Sequence, residues 1–267
     1  MKHIRVNLKS FYADILSSDV YLNGIIYEDN FEYPKTPRMS VLILPGGGYS
    51  FVSYREKDPV MFMFNALGYN SFSLDYSCHK VYPTPHLEVM CAMDYINKHS
   101  DEFKQKKMTT TLIGFSAGGH LACTYAYLYK ELSTDENLKP YALVLAYPVT
   151  SLIKTNNPEC VKNISNFDNK LMHLLSADEH VSKDYPPTFI WTTKTDDMVN
   201  PDNVIWLVDA LRKKKVKNKC IIYSSGPHGL ALANNATSCD NPEWLNIEVS
   251  KWPYVADKFI RSIKEKK

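Results

Sequence analysis

The chain has no C-x-x-C pair among its six cysteines, Cys78, Cys91, Cys123, Cys160, Cys220 and Cys239. That spacing excludes the usual zinc and redox motifs, and most of these cysteines fall inside predicted strands or helices, as buried free thiols do. Charge of one sign is also missing. The net charge is only +2 over 267 residues, so bulk electrostatics point to neither nucleic acid nor an anionic membrane as partner. No apolar run approaches the ~20 residues needed to cross a bilayer. The start, MKHIRVNLKSFYAD, lacks the apolar core of a signal peptide, which makes a cytoplasmic protein the expectation. Internal repeats and domain linkers are absent too, so a single domain over residues 1–267 with a small-molecule substrate is the simplest expectation. A homo-oligomer is compatible with this size, and no sequence feature specifies one.

What is present is an alternation. MSVLILP, NSFSLDYS, TTTLIGF, YALVLAYP, TFIWTT and CIIYSS are short, near-continuously apolar runs, the pattern of strands covered on both faces. PVMFMFNALG, HLEVMCAMDYINKHSDEF, GGHLACTYAYLYKEL and NVIWLVDALRKKK lie between them with apolar residues at helical spacing. This order predicts an α/β fold with a mostly parallel central sheet and helices on both faces. Residues 1–38 suit one or two antiparallel edge strands. The polar stretch 151–187, with one helical piece near 169–176, is too long for a plain connection and is expected to be a lid over the strand ends. The basic run RKKKVKNK, Arg212 to Lys219, reads as a solvated helix end.

Within TLIGFSAGGHLA, Ser116 has Gly114 and Gly118 two residues to either side, between a strand and a helix. This G-x-S-x-G turn is where a nucleophilic serine projects from the carboxyl end of a sheet, with the helix start favouring a nearby oxyanion. Such a serine needs a histidine late in the chain and an acid between the two. His228, in the Gly- and Pro-bounded loop SSGPHGLALA, fits. The acid is Asp196 or Asp197 in TTKTDDMVNP; Asp75 is a more distant candidate. Of the other histidines, His120 is expected to pack, and His79, His86, His173 and His180 to lie in solvated loops, His180 within reach of a substrate. The glycines after the strand VLILP offer bare amides for an oxyanion hole, and Gly47 and Gly48 together with Ala117 are the expected donors. No GK[ST] follows them, so a phosphate loop is not indicated. Tyr49, Tyr54 and Arg55 stand near the expected mouth, where they could stack on or bond to a sugar ring; equally, Arg55 and Glu56 could form a loop ion pair.

LILPGGGY, SYREKDPVMFMFNALGYNSFSLDYS, IGFSAGGHLA, HVSKDYPPTFIWTTKTDDMVNPDN and GPHGLALA follow one another from Val41 to Ala233. Together they resemble the α/β-hydrolases, and among them the bacterial esterase/lipase-like proteins similar to acetyl-xylan and feruloyl esterases. The resemblance implies a serine carboxylesterase working through an acyl-enzyme on short acyl esters, acetylated sugars or oligosaccharides foremost, with no metal or cofactor. It also implies Asp197 as the acid, since the family's acid usually stands four residues before a proline, here Pro201. Pro45 departs from the histidine of hormone-sensitive-lipase-like relatives. A peptidase or lipase of the same fold and a non-catalytic hydrolase-fold binding protein are the alternatives. A peptidase of the prolyl-oligopeptidase type would normally bring a large extra domain, and a non-catalytic version tends to lose a member of the catalytic set.

Overall fold

A computed structural model of the chain describes residues 1–28, 31–32 and 35–263. Its centre is one eight-stranded sheet in the order β1-β2-β4-β3-β5-β6-β7-β8. The strands are β1 (Lys2–Asn7), β2 (Tyr21–Ile26), β3 (Arg38–Leu44), β4 (Asn70–Asp75), β5 (Gln105–Phe115), β6 (Leu143–Ala146), β7 (Thr188–Thr193) and β8 (Asn218–Tyr223). From β3 to β8 all pairings are parallel, and β1 and β2 add antiparallel at one edge, as the alternating N-terminal pattern predicts.

Successive side chains of a strand point to opposite faces, and the two faces feed separate cores. Leu42 and Leu44 of β3 pack on one side with α2 (Thr84–Lys98), α3 (Ser116–Leu132) and α7 (Asp202–Lys213). Val41 and Ile43 pack on the other with α1 (Asp58–Ala66) and α8 (Trp252–Arg261). The last helix lies outside the sequence-based expectations, although Trp252, Ala256, Phe259 and Ile260 recur at helical spacing and are all buried. Burying a large side chain such as Phe259 or Ile260 stabilises the fold by about 2 kcal/mol.

The 151–187 segment differs from the single helical piece expected of it. It forms α4 (Pro158–Ser165), α5 (Asn169–Leu174) and α6 (Ala177–His180), with Asn157 and Asp168 capping the first two through their side chains. Cys160, Ile164, Leu175 and Ala177 join the α2/α3 core. His86 is a correction as well: it is not in a solvated loop but fully buried on α2, with Nε2 2.9 Å from Thr124 Oγ1. The helix starts earlier than its apolar period suggests, because Pro85 is tolerated in the first turn. Among the described residues, no helix is long and apolar enough to cross a membrane.

Candidate active site

Ser116 follows β5 directly and begins α3 with φ +51, a left-handed backbone rare for serine, which turns its side chain out of the sheet edge. The turn is possible because α3 approaches the end of β3 closely. A Cβ on Gly118 would lie 2.0 Å from the Leu44 carbonyl oxygen and 2.3 Å from that of Pro45. Only glycine fits there.

His228 reaches Ser116 from the loop after β8, with Nε2 2.9 Å from Oγ. Its Nδ1 is 2.8 Å and 3.0 Å from the two carboxylate oxygens of Asp196. An ionised carboxylate only accepts, so Nδ1 carries the proton and Nε2 is left to accept from the serine hydroxyl. The side chains of His228 and Asp196 are 11% and 1% exposed, so the pair is shielded from water.

The acid beside the imidazole is therefore Asp196, where the resemblance pointed to Asp197. The reason is local. Asp196 Oδ1 accepts the Met198 and Val199 amides at 3.1 and 2.9 Å, an Asx-type turn that folds its carboxylate inward. Asp197 is left exposed and, among the described residues, accepts only the His228 backbone N–H, at 3.2 Å. Asp75 is engaged elsewhere, 2.6 Å from Lys57 Nζ.

The glycine loop stands against the same serine. Gly47 has φ +125, and a Cβ there would lie 2.1 Å from the Phe51 carbonyl oxygen. Its carbonyl accepts Ser50 N–H at 2.9 Å, which closes the turn. The Gly46 amide is consumed by Glu56 Oε2 at 2.7 Å. Among the described residues, the Gly47 and Gly48 amides donate to no protein acceptor. The Ala117 amide, at the start of α3, belongs to the helix turn whose donors have no intrahelical partner.

These groups open onto a cavity of about 240 Å³ lined by Gly47, Gly48, Phe51, Ser53, Arg55, Glu56, Ser116, Asn157, Glu159, Met198, His228, Gly229 and Trp244. Of the three side chains expected at its mouth, Arg55 lines it. Its guanidinium lies 3.6 Å over the Trp244 ring and donates to the Gly229 and Thr237 carbonyls at 2.5 and 2.7 Å. The Arg55–Glu56 ion pair does not form. Tyr49 is a correction: its φ of +59 sends the ring inward, where it is fully buried with its hydroxyl 2.8 Å from His120 Nδ1. Tyr54 is 76% exposed, is not part of the cavity wall, and has Lys57 Nζ 5.3 Å from its ring centre.

His120 packs, as expected, with Nε2 2.8 Å from the Leu175 carbonyl, and burial lowers its pKa to about 4. His180 stacks on Tyr127 at 4.9 Å, away from the cavity wall. Tyr147 escaped sequence reasoning altogether, and Glu56 was expected only as a partner of Arg55. The two meet at the cavity wall at 2.7 Å, and the Tyr147 ring stands edge-on to His228 with centroids 4.9 Å apart. The signal for Tyr147 was its position, immediately after a strand at the edge where ligands bind.

Sheet order, serine turn and late histidine loop are those of an α/β-hydrolase. The model of the BD-FAE family matches residues 26–211, and the chain belongs to that family. Among solved structures, the carboxylesterase Cest-2923 of Lactobacillus plantarum is 26% identical, with a TM-score of 0.86 over 98% of this chain and 97% of that one. The acetyl ester-xyloside bifunctional hydrolase of Caldicellulosiruptor lactoaceticus is 27% identical, with a TM-score of 0.83 over 97% and 96% of the two chains. Endo-1,4-beta-xylanase B of Butyrivibrio fibrisolvens is 26% identical over 211 residues, 74% of this chain and 33% of that protein. The chain thus spans about a third of the length of this curated relative.

Proposed function

We propose that the chain is a serine carboxylesterase that removes short acyl groups from sugar hydroxyls. The observation that carries this reading is the unbroken line from Asp196 through His228 to Ser116, with Gly47 and Gly48 lining the cavity onto which the serine opens. His228 Nε2 takes the hydroxyl proton as Ser116 Oγ attacks the ester carbonyl. Asp196 holds the tautomer and stabilises the imidazolium. The tetrahedral oxyanion falls to the amides of Gly47 or Gly48 and Ala117, each such donor supplying about 3 kcal/mol in comparable sites. His228 then protonates the departing sugar oxygen, and water repeats the cycle on the acyl-enzyme.

The small cavity favours an acetyl or similarly short acyl group. Trp244 and Phe51 offer apolar surface, and Arg55, Asn157 and Glu159 polar groups, the mixture a sugar ring takes. The acetyl ester-xyloside hydrolase and the xylanase among the relatives support a carbohydrate as the alcohol side. In a cytoplasmic protein, the substrate would be a soluble acetylated sugar or oligosaccharide rather than polymer. The test compares p-nitrophenyl acetate with acetylated xylo-oligosaccharides, using the native protein and Ser116→Ala. Turnover of both that disappears in the variant is expected. Turnover of the nitrophenyl ester alone would remove the sugar assignment, and no Ser116-dependent turnover of either would remove the esterase.

A further inference from the structure

Glu56 is a carboxylate only 4% exposed, and its two oxygens are taken by different loops. Oε2 accepts the Gly46 amide at 2.7 Å, and Oε1 accepts the Tyr147 hydroxyl at 2.7 Å. The Tyr147 oxygen in turn accepts the Ala231 amide at 2.9 Å, three residues beyond His228. Tyr147 has a strained φ of +39, and its own amide is bonded to the Trp191 carbonyl at 2.7 Å. The neighbouring Arg55 grips the carbonyl of Gly229, next to the histidine. One short turn, Tyr54–Glu56, therefore holds both the glycine loop and the histidine loop.

Burying a carboxylate on neutral donors is costly, and an apolar side chain would fill the same volume without that cost. The cost falls where two loops must agree in position. A Cβ on Gly46 would lie 2.7 Å from Glu56 Oε2 and 3.0 Å from Ser116 Cβ, so carboxylate and nucleophile close on the same backbone atom from two sides. By occupying the first glycine amide alone, Glu56 anchors the loop and leaves the next two amides for substrate.

We infer that Glu56 is a positioning residue, which through Gly46 and Tyr147 fixes the oxyanion-hole amides and the His228 imidazole in one frame about Ser116. This rests on the serine-esterase reading. Glu56→Gln keeps the shape, but with its carbonyl oxygen on the Gly46 amide its NH₂ faces the Tyr147 oxygen and donates to it, so the Tyr147 hydroxyl hydrogen loses its acceptor and must turn away. A displacement of the order of 1 Å lowers turnover about 100-fold in such sites.

The experiment measures kcat and KM for p-nitrophenyl acetate, with inhibition by a trifluoromethyl ketone, whose adduct with Ser116 places an oxyanion in the same hole. For folded Glu56→Gln, kcat should fall about 10- to 100-fold with KM changed less than threefold, and inhibition should weaken in parallel with kcat/KM. A merely structural role would lower the thermal midpoint and leave these constants unchanged for the folded protein, and that result overturns the inference. If Glu56→Gln does not fold, Tyr147→Phe takes its place. It keeps the ring and loses both bonds, so at least a threefold fall in kcat is expected and an unchanged kcat is fatal. Absence of Ser116-dependent turnover in the native protein would instead remove the esterase reading itself.

Discussion

Replacing Asp196 by asparagine alters one atom in a way the geometry makes consequential. Oδ1 already accepts the Met198 and Val199 amides, so the asparagine oxygen stays on that side and its NH₂ takes the place of Oδ2, 2.8 Å from His228 Nδ1. Two donors cannot share that contact. The nearer contact then favours the imidazole proton on Nε2, where it points a hydrogen at Ser116 Oγ instead of a lone pair, against the one acceptor left to Nδ1, the asparagine oxygen at 3.0 Å. The wrong tautomer costs about 10⁴ in kcat in serine proteases with the same arrangement. That is about 5.4 kcal/mol of transition-state stabilisation. Asp197→Asn is the matched control: its side-chain oxygen can still accept the His228 backbone amide, so kcat should stay within about threefold of native, as for surface changes in general. Initial rates on p-nitrophenyl acetate for both variants, normalised to folded protein by circular dichroism, decide the matter. A thousandfold loss in Asp197→Asn with a near-native Asp196→Asn would refute the assignment.

Gly118→Ala places a Cβ against two backbone carbonyls that cannot step aside, and should cost about 3 kcal/mol or more, seen as an urea midpoint far below native or as insoluble protein. Acid should destabilise the fold through His120, whose folded pKa of about 4 lies below its unfolded value. With a free histidine near about 6.5, the unfolded chain binds the proton first as pH falls, so stability is full above that value and drops by about 3 kcal/mol on reaching the folded pKa. Chemical denaturation at pH 7 and 4.5 should show that drop, and His120→Asn should reduce it, leaving the share of His86, whose pKa burial also lowers; an equal drop in the variant would contradict the assignment. Arg55→Lys loses the fork that donates to Gly229 and Thr237, and should lower stability by about 2 kcal/mol in thermal or denaturant melts.

The apolar runs and helical periods were enough to place β3 to β8 and the helices on both sheet faces, since a buried parallel strand leaves a plain apolar signature. Ser116 and His228 were legible because their turns carry glycines at fixed offsets. Asp196 was not, because two adjacent aspartates have equal claims until the loop's hydrogen bonds turn one inward. Tyr49 misled for a related reason: a tyrosine beside a glycine loop looks solvent-facing until a left-handed φ points it at His120. Glu56 was read beside Arg55, its neighbour in sequence, whereas its partners are Gly46 and Tyr147, brought up by the sheet. Helix α8 follows a turn-rich stretch, yet its own residues carry the helical period and bury Trp252 and Phe259 against the sheet.

The most direct measurement is the intact mass of the protein after brief exposure to a fluorophosphonate, followed by peptide mapping. An activated serine in this frame should take a single phosphonyl group on Ser116, with labelling abolished in Ser116→Ala and strongly slowed in His228→Ala. An unlabelled native protein, or an adduct that persists in Ser116→Ala, would contradict the nucleophile and with it the proposed chemistry.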